Sequence, residues 1–584
     1  MVAMSLASSS GRCRARTVRA SRHHALLVAV GLVLSLAPAA VPAGAQNSTE
    51  PAPAPSPEPG VFTEVLDVRV VNIEVVVRDK NGVRVEGLDP EDFAITVDGR
   101  DVPVEYFTEV LGGRSIAAGA ASGTVPALAP GALVGTSYLV FIDDFYAISR
   151  DRNRVLNSLI EQLPLLGTDD RMAVVAFTGK KLEMLSSWSQ STDALARVFE
   201  QAKKRKAGGL QRIAEQRNFR ATRALIAQND PTRGGGLGLV PELDLDEEDE
   251  ALRIADQMKS IVLAASSALR GFANPPGRKV MLLLSGGWPF NPAQWVVREP
   301  FRVAYSTRIP DGSELYQPLI DTANRLSYTL YTADLPLFGQ SSTRIDASSA
   351  INPIAGGALE FERERELELT LTELASQTGG KALINSNATA AFERMVEDTR
   401  SYYWLGFTPS WQGDDQGHKI EVIVRRPGLS VRSRGSFSDL SRSTEVSMMV
   451  ESSLLFGNTA GVEGLPTEFG TPARAGRGKV KVPFRIAIPV HEITFLPTAG
   501  GHIASLELRV AVIDDRGNRA EIPVIPLQLR ADDTPESEGY AVYASYLRMR
   551  KRPHRLVFSL YDTASGKILS SRLDYDPAAI AQKR

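Results

Sequence analysis

The chain has 584 residues, with 66 lysines and arginines against 68 aspartates and glutamates, for a formal net charge of -2. That balance gives no global attraction for polyanions, so nucleic acid is not an expected partner. With 43% apolar and 23% charged residues the composition is that of a globular protein, and the length predicts about three or four domains of roughly 100–200 residues each.

Residues 1–45 read as a signal peptide. Arg12, Arg14, Arg16, Arg19 and Arg22 precede the apolar run 25–36, and Ala43-Gly44-Ala45 supplies small residues for cleavage. The apolar run is too short for a membrane span, and Pro38 and Pro42 follow it. The expected location is therefore exported, either periplasmic or extracellular. The single cysteine, Cys13, lies in this leader. The exported chain would then carry no disulfide, no thiol nucleophile and no thiolate metal site. No later stretch reaches 18 uninterrupted apolar residues, so no transmembrane segment is expected after the signal peptide.

Residues 46–60 are a Pro-rich linker. A small β domain is expected over 61–112. There Val71, Ile73, Val75 and Val77 alternate with polar residues, and Asn81-Gly82 and Asp98-Gly99 mark turns. Residues 113–135, rich in Ala, Gly, Ser and Pro, read as a second linker. From 136 the rhythm changes. An apolar strand, 138–142, ends in Asp143-Asp144, and a helix over 150–163 follows with Val155, Leu156, Leu159, Ile160 and Leu163 on one face.

Next come strand 171–178, edge strand 181–187, helix 192–202 with Thr192 as its cap, helix 247–272 and strand 279–285. Helix 313–326, strand 328–333, helix 365–377, strand 381–384 and helix 390–400 complete the run. Continuously apolar strands alternating with helices predict an α/β fold with a doubly wound, mostly parallel sheet covered on both faces. This unit is expected over 136–437, with a helical insertion about 203–245 and a terminal β segment, 401–437. The insertion opens with Lys203-Lys204-Arg205-Lys206 and ends in an acidic run, and it reads as a solvated excursion. Residues 443–584 have no helical period, and strands at 479–490, 505–514, 540–548 and 555–561 predict a β-sandwich.

Ligands of a parallel sheet bind outside the carboxyl ends of its strands. Those ends carry Asp143-Asp144, Gly179, Ser285-Gly286-Gly287 and Asp334. The order YLVFIDDFYAISRDRNRVLNSLIEQL, DDRMAVVAFTG, STDALARVFEQA, RKVMLLLSGG, YTLYTADL resembles a von Willebrand factor A-type (VWA) domain. With VVNIEVVVRDKNGVRVEGLDPEDFAITVDG before it and YYWLGFTPS and HKIEVIVRRPGLSVRSRGSF after it, the chain is similar to the secreted VWFA-related group of acidobacteria. The resemblance covers most of 61–437.

It implies a Rossmann-like sheet and a metal-ion-dependent adhesion site. In the family that site is an Asp-x-Ser-x-Ser loop, a later Thr and an Asp after the fourth strand, suited to Mg²⁺. Here Asp143 matches the first Asp, but Phe145 and Ala147 stand at the serine positions and Gly286 at the last Asp. The loop Gly208-Gly209-Leu210 offers no Thr. The site therefore reads as degenerate, with Asp143, Asp144 and Ser285 its remaining candidate ligands. Asp143 and Asp144 are alternatively a helix cap or an arginine's partner. No cofactor is expected, and Mg²⁺ is the weaker alternative.

No catalytic constellation appears. His418, His491, His502 and His554 are isolated in strand-rich sequence, and there is no P-loop and no G-x-S-x-G elbow. His491-Glu492 is followed by Phe495, where a zinc-binding His would be needed. The sequence thus suggests a non-catalytic protein that binds another protein. Its expected contact face is formed by Ser149, Gly287, Trp288 and Asp334 around the acidic tip, with Trp288 projecting outward. The alternatives are an envelope scaffold acting through 443–584 and a carboxylate-dependent hydrolase.

Overall fold

The computed structural model describes residues 70–118, 129–229, 243–273, 275–297, 308–335, 353–384, 389–411, 413–457, 460–498, 500–532 and 539–582. The expected signal peptide and Pro-rich linker lie outside these residues, as do residues 230–242 of the expected helical insertion.

The chain is mixed α/β with five sheets among the described residues. At its centre is a six-stranded sheet. Its spatial order is Ala382–Leu383, Tyr328–Asp334, Arg278–Ser285, Thr136–Asp143, Arg171–Phe177 and Leu182–Ser189. All neighbours are parallel except the last pair, which is antiparallel. The strands read as unbroken apolar runs because both faces are covered. Leu139, Phe141, Val175, Met281 and Leu283 face the long helix Leu245–Gly271 and helix Gly312–Arg325. The alternate residues Tyr138, Val140, Ile142, Leu282 and Leu284 face helices Ser149–Gln162, Thr192–Lys203 and Ala391–Thr399. This alternation is the two-residue period of a strand. The cap of Thr192–Lys203 is Ser191, one residue before the expected Thr192, and its side chain accepts from the Ala194 N–H.

Thr136–Asp143 pairs with Arg171–Phe177 on one side and Arg278–Ser285 on the other. The chain order reverses at this strand, and that is where an open sheet forms a crevice at its strand ends. The crevice position falls on Asp143 and Ser285.

The two flanking β segments expected to be separate form one sandwich. Val71–Arg78 pairs with Tyr402–Phe407, and Phe93–Val97 pairs with Gly417–Val424. Ile73, Val75, Phe93, Ile95, Tyr403, Leu405, Ile420 and Val422 share its core. Residues 401–437 are therefore not the end of the central unit but half of the first one. A single half exposes one apolar face per strand and has nothing to bury it against. Arg114–Ala118, expected in a linker, is a further strand of this sandwich.

The C-terminal unit is a β-sandwich, with Val482, Phe484, Leu508, Val510, Leu556 and Phe558 in its core. It is preceded by a helix, Arg442–Phe456, that the sequence reading missed. This helix packs on Leu245–Gly271 on one side and on the sandwich on the other, so Val446, Met448, Val450, Leu454 and Phe456 are all buried. A helix buried on opposite sides has no single apolar stripe, which is why no period was visible.

Candidate functional site: a closed strand tip

Asp143 ends the central strand and is fully buried. Its Oδ1 accepts from the backbone N–H of Phe145 at 3.0 Å and of Tyr146 at 3.3 Å. Its Oδ2 accepts from the Ser285 hydroxyl at 2.8 Å and the Trp288 indole N–H at 2.9 Å. Four protein donors thus occupy the oxygens that a cation would need. Burial nevertheless dominates and pushes the carboxyl up to about 6, with the indole and hydroxyl hydrogen bonds opposing it.

Trp288 is buried, stacked on Tyr316 at 6.0 Å between centroids. The expectation that it projects for a partner is overturned. Gly286-Gly287 explains the path. Gly287 has φ +109°, and a Cβ there would lie 2.8 Å from the Leu367 side chain, so only glycine lets the chain fold the indole back beneath the tip. Gly287 is itself buried, and so is Ser285. Of the expected contact face, Ser149 alone is exposed, and Asp334 is half-buried. Burial, then the charges of Glu368 and Glu364, push the Asp334 carboxyl up to about 7. These residues form no common outward surface.

Asp144 is also buried, and it is an arginine's partner rather than a helix cap. It meets Arg152 Nη1 at 2.5 Å and Arg205 Nε at 2.8 Å. Arg152 also donates to the carbonyls of Lys203 at 3.1 Å and Arg205 at 3.0 Å, closing the end of helix Thr192–Lys203. Arg205, from the basic run, reaches Glu183 as well, at 2.7 Å. One cation of that run is therefore internal. The following helix, Ser149–Gln162, has Ile148 at its N-cap and no side-chain cap.

Glycines close the loops over the tip. Gly208 N–H donates to the Asp144 carbonyl at 2.7 Å, and Gly209 N–H to Ala147 at 2.9 Å. A Cβ on Gly286 would lie 2.3 Å from the Tyr146 carbonyl oxygen, and one on Gly209 2.5 Å from that of Ala147. At both glycines backbone is pressed against backbone. Among the described residues no group of three or more His, Cys, Asp or Glu side chains is placed to hold a metal ion.

Sequence reasoning missed two polar clusters. His418 stacks on Trp411 at 4.1 Å, with Nδ1 2.8 Å from Asp98 and Nε2 3.2 Å from Asp414. It holds the Asp98-Gly99 turn to the loop before its own strand. At the junction of the sandwich and the central sheet, fully buried Arg278 meets Glu74 at 2.8 Å and donates to the Thr399 carbonyl at 2.7 Å. Beside it, Asp398 binds Arg78 at 2.7 Å, Arg432 and the Tyr331 hydroxyl. Burial works to raise the Asp398 carboxyl, but the charge of Arg432 and the Tyr331 hydrogen bond outweigh it and hold it at about 2. In the junction the partners lie 34 to 320 residues apart in sequence, so no spacing signals them.

No protein-family model matches the chain, and no curated protein matches it. Among solved structures it is similar to the ArnB paralog VWA2 from Sulfolobus acidocaldarius, at 9% identity and TM-score 0.18, over 84% of this chain and 78% of that one. It is also similar to the pilus adhesin SpaC from Lactobacillus rhamnosus GG, at 9% identity and TM-score 0.19, over 75% of this chain and 56% of that one. A β-glucuronidase of Bacteroides uniformis shares 11% identity at TM-score 0.14, over 32% of this chain and 20% of that one. The chain thus spans a fifth of the glucuronidase and just over half of the adhesin. At such TM-scores, function rests on the chain's own geometry.

Proposed function

We propose that this is an exported, non-catalytic protein-binding protein, built on a VWA-like unit whose adhesion site has become a structural joint that needs no metal. The observation that carries the reading is the engagement of Asp143 by four protein donors, with Trp288 among them. The central strand order and its reversal at Asp143 support the VWA-like part. Partner capture by the immobilised full chain should be equal in Mg²⁺ and in chelator. Capture that requires Mg²⁺, or turnover in a hydrolase substrate panel, would overturn the reading.

A second reading, an envelope scaffold that makes its contacts through the C-terminal unit, is favoured by one feature of that unit. Its four-stranded sheet turns an exposed face to solvent that carries clustered cations. Association of the full chain with isolated envelopes tests it.

A further inference from the structure

The long strands Lys479–Pro489 and Tyr540–Arg550 pair antiparallel over their whole length. One face of this ladder, with Val482, Phe484, Ile486 and Leu547, fills the sandwich core. The other is open to solvent: Lys481, Pro483, Arg485, Val542, Ala544 and Arg548 are exposed. The register sets Lys479 opposite Arg550 and Lys481 opposite Arg548. Like charges directly opposite in a ladder repel and destabilise it. Among the described residues none of the four cations pairs with a carboxylate. Arg548 instead donates to the Ala475 carbonyl at 3.1 Å, and the Lys481 ammonium sits 3.7 Å above the Tyr546 ring. Exposed Arg474, Arg477 and Lys551 flank the quartet. The fold thus keeps two repelling pairs on an open face, and the acid on that face, exposed Glu468, lies opposite Arg485 rather than the quartet.

Beyond the quartet the same face is mostly apolar. Pro483 lies opposite Tyr546, Arg485 opposite Ala544 and Ala487 opposite Val542, with exposed Tyr540 at the end. Val542 is 58% and Tyr540 51% exposed. Eleven residues at about 3.3 Å each make a face roughly 35 Å long. Cations beside exposed tyrosine and aliphatic side chains on one face match the headgroup region of an anionic bilayer. An acidic protein would complement the charges but gives no reason for the apolar half.

We propose that this face docks the protein on an anionic phospholipid surface. The proposal rests on the scaffold reading and supplies its contact. Lys481→Glu with Arg550→Glu tests it, because each change converts a repelling cross-strand pair into an attracting one while cancelling the quartet's charge. The full chain is sedimented with vesicles of phosphatidylcholine containing about 30% phosphatidylglycerol, with pure phosphatidylcholine vesicles, and with isolated bacterial envelopes. The wild type should bind the anionic vesicles and the envelopes, less so as salt rises. The variant should melt no lower than wild type yet lose at least about tenfold in vesicle partitioning. Lys204→Glu with Lys206→Glu, an equal charge change elsewhere, should keep it. Equal partitioning of wild type and the ladder variant overturns the proposal. So does binding to polyglutamate without binding to vesicles, which would assign the face to an acidic protein. Wild type that binds envelopes but not vesicles overturns it and leaves the scaffold reading standing; binding to neither removes both.

Discussion

Replacing Trp288 by phenylalanine distinguishes a structural joint from a docking residue. The indole N–H is one of four donors to the buried Asp143 carboxylate. A hydrogen bond to a charged group contributes about 1.5–3 kcal/mol. Phenylalanine also leaves part of a fully buried indole site empty beside Tyr316, at roughly 1–2 kcal/mol. The expected loss is about 3–5 kcal/mol. At a urea slope of about 3 kcal/mol per molar, the transition of the central unit moves down by roughly 1–1.7 M. Circular dichroism follows it. An exposed tryptophan waiting for a partner would change stability by no more than about 0.5 kcal/mol when replaced. A loss below about 1 kcal/mol would therefore refute the inward role of Trp288.

Other consequences follow from the same contacts. Gly286→Ala sets a methyl group against the Tyr146 carbonyl, a backbone atom with little room to yield, and should lower thermal stability by roughly 1–3 kcal/mol. Asp143 and Asp334 have raised pKa values, so the stability they contribute is fully present below about pH 4 and is lost as pH rises through about 6 and 7. For Asp143, a move from 3.8 to about 6 corresponds to roughly 3 kcal/mol at neutral pH. Asp334→Asn should flatten the upper part of that decline in a pH series of denaturation curves; an unchanged slope between about pH 4 and 7, the interval between its ordinary and folded values, would contradict the assignment. Asp398 has the opposite sign: its contribution is present above about pH 4 and disappears as pH falls toward 2. Asp398→Asn strips Arg78 and Arg432 of their shared partner and should cost about 3 kcal/mol at pH 7, measured by urea denaturation.

The central alternation was legible because strands covered on both faces are apolar throughout, as in Tyr138 to Ile142 and Val280 to Leu284. The split first sandwich was not, because the pairing of Ile73 with Leu405 spans more than 300 residues and leaves no local trace. Helix Arg442–Phe456 was hidden by burial on opposite sides. At the tip, sequence singled out Asp143, Asp144 and Ser285, and the structure joins Asp143 to Ser285 by a hydrogen bond. Sequence could not tell that Trp288 turns inward, although Gly286-Gly287 before it was the signal: two residues without a Cβ allow the tight reversal that buries an indole. Of the partners of Asp144, Arg205 stands 61 residues away, a distance that spacing does not encode, while Arg152 stands eight residues on, in the next helix.

Calorimetric titration of the full chain with Mg²⁺ and then Mn²⁺, after chelation, tests most directly whether the tip is a closed joint. With both oxygens of Asp143 engaged by N–H and O–H donors and Asp144 held between two arginines, the account predicts only heats of dilution up to millimolar metal. Saturable binding that Asp143→Asn abolishes would contradict it.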